Sequence, residues 1–236
     1  CIHAATDAID VSEILEGLTD DLMKDLNYLG QVSVGSSTAC IGVVIHKQHV
    51  LVPAHCVRSS EENTTTVTFM TSIPQKVIAI YQHNNYNEET QENNIAVIRL
   101  DEELTFNDTI NKIELSHENT PAENTSCTFT GREGTKEVII KNNKICSAGE
   151  GLICASIKDS QGSTSCQLTE GAPLIFDGKL IGVASTTSNT DCSELTFLGV
   201  KKYEDWIYPF TDSAVTIHVS PLVLLCSLAA IIKMRS

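Results

Sequence analysis

The sequence predicts an all-β protein built from short antiparallel strands. Short runs rich in β-branched residues follow one another between residues 31 and 185, among them "CIGVVIH", "TVTFM", "KVIAIY" and "NIAVIRL". Polar stretches rich in Asn, Ser, Thr and Gly, such as "NNYNEETQENN", separate these runs. Many short strands at regular spacing are typical of an antiparallel sandwich or barrel rather than of alternating strands and helices.

Composition limits the classes of partner. The chain has 236 residues, 42% of them hydrophobic, with 30 acidic residues against 16 basic ones and a formal net charge of −14. Such a surface repels nucleic acid and anionic lipid headgroups, so neither is an expected partner. The sequence contains no CxxC and no closely spaced Cys/His group. We therefore predict no metal and no cofactor.

Cysteines and glycosylation sequons together indicate an oxidising compartment. There are nine cysteines, and N-x-S/T sequons occur at Asn63, Asn107 and Asn124. The sequence begins at Cys1 rather than at a methionine, which we interpret as the result of signal-peptide removal. We therefore expect a secreted or cell-surface glycoprotein.

Residues 1–30 are predicted to form an acidic leader that contains one amphipathic helix over residues 7–29. Its apolar side chains recur at helical spacing, at Val11, Ile14, Leu15, Leu18, Leu22 and Leu26. Two interpretations are open, a helix packed on the main domain and a helix that binds a partner. The first is favoured, because an amphipathic stripe most often faces the protein's own core.

The C-terminal end is predicted to hold a short helix and then an anchor. In "KKYEDWIYPF" one helical face carries Tyr203, Trp206 and Ile207, which suits a helix that closes the domain. Residues 211–236 are hydrophobic and end with two basic residues, and Ala214–Ile232 is 19 residues long, enough to span a bilayer. A cleaved lipid-anchor signal with attachment at Asp212 is the alternative. These two interpretations tether the main domain to the outer cell surface, and a buried helix of the same domain is the third and least favoured interpretation.

Separated motifs resemble those of one known family. "VLVPAHCV", "NNIAVIRL", "CQLTEGAPL" and "YEDWI" occur in this order. They are similar to the "V-L-T-A-A-H-C", "N-D-I-A-L-I-R-L", "G-D-S-G-G-P-L" and "Y-x-x-W-I" motifs of the trypsin/chymotrypsin-like serine proteases. The resemblance covers residues 31 to 207, and we assign residues 31–210 to the homology domain. It implies two six-stranded antiparallel β-barrels with a cleft between them.

The same comparison shows that catalytic residues of that family are replaced by other residues in this sequence. His55 matches the family's histidine, but Asn94 stands where the aspartate is expected, and Glu170 stands at the serine nucleophile. Leu168 replaces the oxyanion-hole glycine, and Thr169 replaces the aspartate that pairs with a newly cut N-terminus. Since the reaction needs a hydroxyl, a base and a carboxylate that orients the base, we predict a catalytically inactive homologue, a pseudoprotease.

The resemblance also assigns a specificity pocket and disulfides. The pocket positions are Thr164, Ser185 and Thr187, which would give a small polar wall. The implied disulfides are Cys40–Cys56, Cys146–Cys154 and Cys166–Cys192. Because the family contains bridges from a leader to the protease domain, we predict that the remaining Cys1 and Cys127 pair. Cys226 then stands alone in the hydrophobic tail, as an apolar residue or a lipidation site.

Three functions follow as hypotheses. The first is a non-catalytic protein that binds a protease, a protease substrate or an inhibitor. The second is a serine-type endopeptidase family member with residual or altered hydrolase activity, in which Glu170 and His55 form an acid/base couple. The third is a structural or adhesive ectodomain.

Overall fold

The computed structural model of the protein consists of two closed β-barrels. It describes residues 26–69, 73–131, 134–146, 149–158, 169–185 and 194–211. The first barrel comprises β1 (Leu29–Val34), β2 (Ser37–His46), β3 (His49–Val52), β4 (Thr65–Phe69), β5 (Gln75–Gln82) and β6 (Ala96–Leu100). The second comprises β7 (Ser126–Gly131), β8 (Gly134–Lys141), β9 (Leu152–Ile157), β10 (Pro173–Phe176), β11 (Lys179–Ala184) and β12 (Leu195–Gly199).

The two barrels have the same closed antiparallel strand topology. It runs β1-β2-β3-β6-β5-β4 in the first barrel and β10-β11-β12-β9-β8-β7 in the second. Closure leaves no open sheet edge among these twelve strands. The predicted all-β class and the two six-stranded barrels implied by the resemblance are confirmed.

Strand β2 shows why the barrels pack together. Cys40 and Val44 point into the core of the first barrel, whereas Ile41, Val43 and Ile45 join a second cluster between the barrels. Successive side chains of a strand point to opposite faces, so both faces of β2 are buried. This explains why the run "CIGVVI" is almost continuously apolar rather than alternating.

The N-terminal end differs from the predicted helix. Leu26–Tyr28 forms a turn and strand β1 begins at Leu29, so the prediction that one helix continues to residue 29 is wrong at its last residues. Pairing of β1 with both β2 and β4 fixes Leu29 in a strand. The rest of the predicted leader helix, residues 7–25, lies outside the described residues.

The C-terminal helix is confirmed as a short element. Three consecutive short helices follow β12, at Val200–Tyr203, Glu204–Ile207 (α1) and Tyr208–Phe210. Tyr203 and Ile207 are buried in the cluster between the barrels, and Trp206 packs against it. Among the described residues no helix is long and apolar enough to cross a membrane. Residues 212–236 of the predicted anchor, including Asp212 and Cys226, lie outside them.

Disulfides Cys40–Cys56 and Cys146–Cys154 are both present, as the resemblance implied. Cys127 is a free cysteine in the structure and only 3% exposed, and its predicted bridge to Cys1 stays a prediction because Cys1 lies outside the described residues. Burial raises the pKa of the Cys127 thiol to about 11, so the thiol stays protonated at neutral pH. Cys1, Cys166 and Cys192 lie outside the described residues.

Candidate active site

His55 is held at the cleft by a short helix and a disulfide. It lies in the 3-10 helix Ala54–Cys56, directly after β3. The Cys40–Cys56 bridge ties this helix to β2. The His55 side chain is 22% exposed, so it faces the cleft while its ring remains largely covered.

Asn94 reaches the same point from the loop before β6. This residue is fully buried, at 0% exposure. The loop that leads to it contains two non-glycine residues with left-handed backbone, Gln91 with φ 58° and Asn93 with φ 53°. Such conformations are sparsely populated and persist only where the surrounding structure fixes them.

Glu170 lies on a turn that packs directly against β2. The backbone N–H of Ile41 donates to the Glu170 carbonyl oxygen at 2.9 Å, and the Gly171 N–H donates to Ala184 at 2.8 Å. Gly171 has φ +83°, and a Cβ at this position would lie 1.8 Å from the Ile41 carbonyl oxygen. Only glycine fits this close approach, which explains why the turn keeps a glycine after Glu170.

These three residues meet at the imidazole of His55. The Nε2 atom of His55 lies 2.7 Å from a carboxylate oxygen of Glu170. Its Nδ1 atom lies 2.7 Å from the side-chain nitrogen of Asn94. The His55 backbone N–H also donates to the Asn94 side-chain oxygen at 2.8 Å. The structure therefore brings together all three triad positions predicted from the sequence.

Two backbone groups fix the orientation of the Asn94 amide. The Ser185 carbonyl oxygen can only accept, and it lies 3.1 Å from Asn94 Nδ2. The His55 backbone N–H can only donate, and it points at Asn94 Oδ1. If the amide oxygen and nitrogen were exchanged, the Asn94 oxygen would face the Ser185 carbonyl oxygen, and the Asn94 NH₂ group would face the His55 backbone N–H. Both contacts would be repulsive. The NH₂ group of Asn94 must therefore face His55 Nδ1.

The orientation of Asn94 determines the tautomer of His55. Because Nδ1 receives a hydrogen bond from an amide donor, it must carry a lone pair, and the ring proton of the neutral form lies on Nε2. The Nε2–H group then donates to Glu170. In the serine protease mechanism the arrangement is reversed, since Nδ1–H donates to the aspartate and Nε2 accepts the serine proton.

Glu170 also changes the acidity of His55. Burial of the ring lowers its pKa, but the hydrogen bond and the negative charge of Glu170 outweigh this effect, and the net result is a raised pKa for His55. Glu170 thus favours the charged imidazole, whereas the Asn94 amide donor opposes the second ring proton, on Nδ1, that this charge requires.

Gln91 is a member of this network that sequence reasoning missed. Its side-chain oxygen accepts from Asn94 Nδ2 at 2.8 Å, and its own NH₂ donates to the Glu88 carbonyl oxygen at 2.7 Å. Since the Glu88 carbonyl can only accept, the Gln91 oxygen must face Asn94. No motif marks this position, because its role depends on the left-handed loop that turns it back toward Asn94.

The donor atoms at the site do not form a metal centre. The ligand atoms of Cys40, Cys56, His55 and Glu170 lie within 4.8 Å of one another. However, the two sulfurs are joined in a disulfide and offer no thiolate. A metal on Nε2 would also need Nδ1–H opposite an acceptor, whereas Nδ1 faces the Asn94 amide donor.

Other predicted positions are partly described. Ser185 is 5% exposed and contributes its carbonyl to Asn94, and Thr169 is 4% exposed. Leu168, Thr164 and Thr187 lie outside the described residues, so the oxyanion hole and the specificity pocket stay predictions. The sequon residues Asn63, Asn107 and Asn124 are all exposed, and their glycosylation also stays a prediction.

Comparison with known families agrees with this geometry. The Trypsin family model matches residues 20–207. The chain belongs to the trypsin family. The chain is 30% identical to trypsin alpha of Drosophila erecta over 177 residues, covering 63% of this chain and 68% of that protein.

Solved structures share the trypsin fold. Kallikrein-related peptidase 10 superposes with a TM-score of 0.69 and 20% identity, covering 79% of this chain and 96% of that one. A scabies mite inactivated protease paralogue gives a TM-score of 0.69 and 22% identity, covering 80% and 93%. At these identities the structural likeness concerns the fold alone.

Proposed function

We propose that this trypsin-family homologue does not hydrolyse peptides and acts by binding another protein. The observation that supports this most strongly is the contact between Glu170 and His55 Nε2 at 2.7 Å. A carboxylate stands where the family has its nucleophilic hydroxyl, so no ester intermediate can form at this position.

The state of His55 supports the same proposal. Its Nε2 atom carries the proton in the neutral ring, and therefore has no lone pair with which to accept a proton from a nucleophile. Replacement of the triad aspartate by asparagine in a serine protease lowers kcat about 10⁴-fold for this reason. Asn94 thus deprives His55 of its role as proton acceptor, and Glu170 replaces the nucleophile.

Protein binding at the cell exterior is the remaining part of the proposal. Two disulfides favour an oxidising compartment. The proposed location is extracellular, secreted or tethered by residues 211–236, and the proposed partner is a protease, a protease substrate or an inhibitor. The scabies mite protein is described as an inactivated protease paralogue, so this fold persists in at least one protein that has lost activity.

An active hydrolase is the alternative, since relatives of this chain are named trypsins. The test is hydrolysis of a broad peptide library by the purified chain, by His55→Ala and by Glu170→Ala. We expect no turnover that distinguishes the three proteins. Turnover by the unmodified chain that disappears in His55→Ala would overturn the proposal.

A binding function needs its own measurement. The tagged protein is incubated with secreted proteins, and the bound material is identified by mass spectrometry. We expect capture of a protease, a protease substrate or a protease inhibitor. Direct titration of that partner against the purified chain then establishes whether the binding is saturable.

A further inference from the structure

A groove opens beside the residue at which the described chain begins. It lies between the N-terminal turn, the segment that joins the barrels and the second barrel, and has a volume of about 700 Å³. Its lining includes Leu26, Tyr28, Ile113, Thr128 and Ile175. A smaller hollow of about 340 Å³ shares Thr128 and Ile175 and continues to Phe176. We refer to the two hollows together as the back groove.

The back groove presents apolar side chains. Tyr28 and Ile175 are only half-buried, although both pack against the cluster between the barrels. Phe176 is 38% exposed at the end of β10. Apolar side chains in a concave groove of this kind gain free energy when another segment covers them.

The position of Leu26 indicates which segment that is. Residues 1–25 immediately precede it, and their apolar side chains Val11, Ile14, Leu15, Leu18 and Leu22 follow a helical spacing that Leu26 continues. Leu26 is 3% exposed and forms part of the groove wall. Because side chains four residues apart lie one turn apart on a helix, a helix that ends at Leu26 places Leu22 next to the groove.

We propose that residues 11–25 bind in the back groove as an amphipathic helix, with Leu18 and Leu22 against Tyr28 and Ile175. Leu18 lies two turns before Leu26, a distance of about 12 Å along a helix, so both leucines stay within reach of the hollow that Leu26 lines. The inference does not depend on the loss of catalysis.

The apolar stripe, rather than the charge of the groove, decides which face of the helix contacts it. The groove lining carries Lys112 and Lys179 but also Glu114 and Asp177, so it is close to neutral. The leader is acidic, with Glu13, Glu16, Asp20, Asp21 and Asp25 outside its apolar stripe. The apolar stripe therefore faces the groove and the acidic face is left to solvent.

A double-mutant cycle in the full chain tests this contact. Leu22→Glu and Ile175→Glu are each expected to lower the folding equilibrium constant about 10-fold, because each introduces a charge at an apolar contact. The double variant is expected to lose about 10-fold rather than 100-fold, since both changes remove the same contact. As a control, Ile73→Glu at an 82% exposed site should change the constant less than about 2-fold and combine independently with Leu22→Glu.

The outcomes separate the possible occupants. The proposal would be overturned if the effects of Leu22→Glu and Ile175→Glu on the folding equilibrium constant multiplied in the double variant. It would also be overturned if Leu22→Glu left this constant unchanged. Conversion of a dimer to a monomer by Leu22→Glu, measured by light scattering, would assign the groove to a second copy and also overturn it. Should Ile175→Glu not fold, a photo-crosslinking residue at position 22 gives an independent result. We expect crosslinks to residues 112–114 or 173–179, and crosslinks elsewhere would contradict the inference.

Discussion

Replacing Asn94 with aspartate tests the assigned tautomer of His55 directly. In the native protein Asn94 Nδ2 lies 2.7 Å from His55 Nδ1, 2.8 Å from the Gln91 side-chain oxygen and 3.1 Å from the Ser185 carbonyl oxygen. Asn94→Asp places an acceptor opposite these three acceptors, which in the native protein share the two hydrogens of the Asn94 NH₂ group. The change should move the imidazole proton to Nδ1 and should also destabilise the fold.

The magnitudes follow from these contacts. The Gln91 and Ser185 oxygens each lose a donor, and an unsatisfied buried acceptor costs about 1–3 kcal/mol. A new charge-assisted hydrogen bond from His55 recovers about 1.5–3 kcal/mol. We expect a net loss of about 2 kcal/mol in the free energy of unfolding. A second carboxylate beside the ring should raise the His55 pKa further beyond its already raised value.

The pH dependence of that loss has a definite sign. A histidine whose pKa is raised in the folded state stabilises the protein below its unfolded pKa, near 6.5, and this contribution is lost as the pH rises through the folded pKa. The deficit of Asn94→Asp relative to the native protein should therefore be smallest in acid and grow toward alkaline pH.

Nitrogen NMR of the histidine rings measures the tautomer, and urea unfolding at several pH values measures the stability. Asn93→Asp is the matched control, because it adds the same charge one residue away, where Asn93 donates to Asn85 instead of His55. A native protein with its proton on Nδ1 would refute the orientation argument. Unchanged stability of Asn94→Asp would show that Gln91 and Ser185 do not constrain the amide.

Three further predictions concern the site and its support. Glu170→Gln should lower the His55 pKa, because the charge that raises it is removed. Proton NMR titration measures this change, with Glu204→Gln as a control that should leave the His55 pKa unchanged. Gly171→Ala should destabilise the fold by about 3 kcal/mol or more, as measured by urea unfolding. Gly178 also has a left-handed backbone but has open space around its Cβ position, so Gly178→Ala should cost only about 1 kcal/mol. Burial is the main reason why the pKa of His49 is lowered to about 4. About 2 kcal/mol of stability should therefore be lost as the pH falls from 6.5 to 4. His49→Phe should remove this loss, and an unchanged pH profile of stability in that variant would contradict the assignment to His49.

Much of the fold was predictable because separated motifs carry long-range information. The strand runs predicted an antiparallel sandwich or barrel, and the resemblance of the motifs to the trypsin/chymotrypsin-like serine proteases implied the two barrels, the disulfide Cys40–Cys56 and the three triad positions. Spacing alone could not set the end of the leader helix. Leu26 and Leu29 fit a helical stripe and a buried strand equally well, and pairing of β1 with two neighbours decided in favour of the strand.

The hydrogen-bond directions of the site were not predictable from the sequence. The orientation of Asn94 depends on the carbonyl of Ser185, which is 91 residues away in the chain. The contribution of Gln91 depends on its left-handed backbone, which no local pattern announces. The altered residues indicated a lost mechanism, but only the three-dimensional contacts assign the proton to Nε2.

The same contacts limit what a single reversion can restore. Glu170→Ser would return a hydroxyl to the nucleophile position, yet that oxygen would face Nε2–H, because Asn94 still donates to Nδ1. The imidazole would then donate to the hydroxyl instead of accepting its proton, and the serine would remain unactivated. Asn94→Asp must accompany the change, and Gln91 and Ser185 oppose that second step through their acceptor oxygens. The loss of catalysis proposed for this chain is therefore built into the hydrogen-bonding environment of position 94 as well as into Glu170 itself.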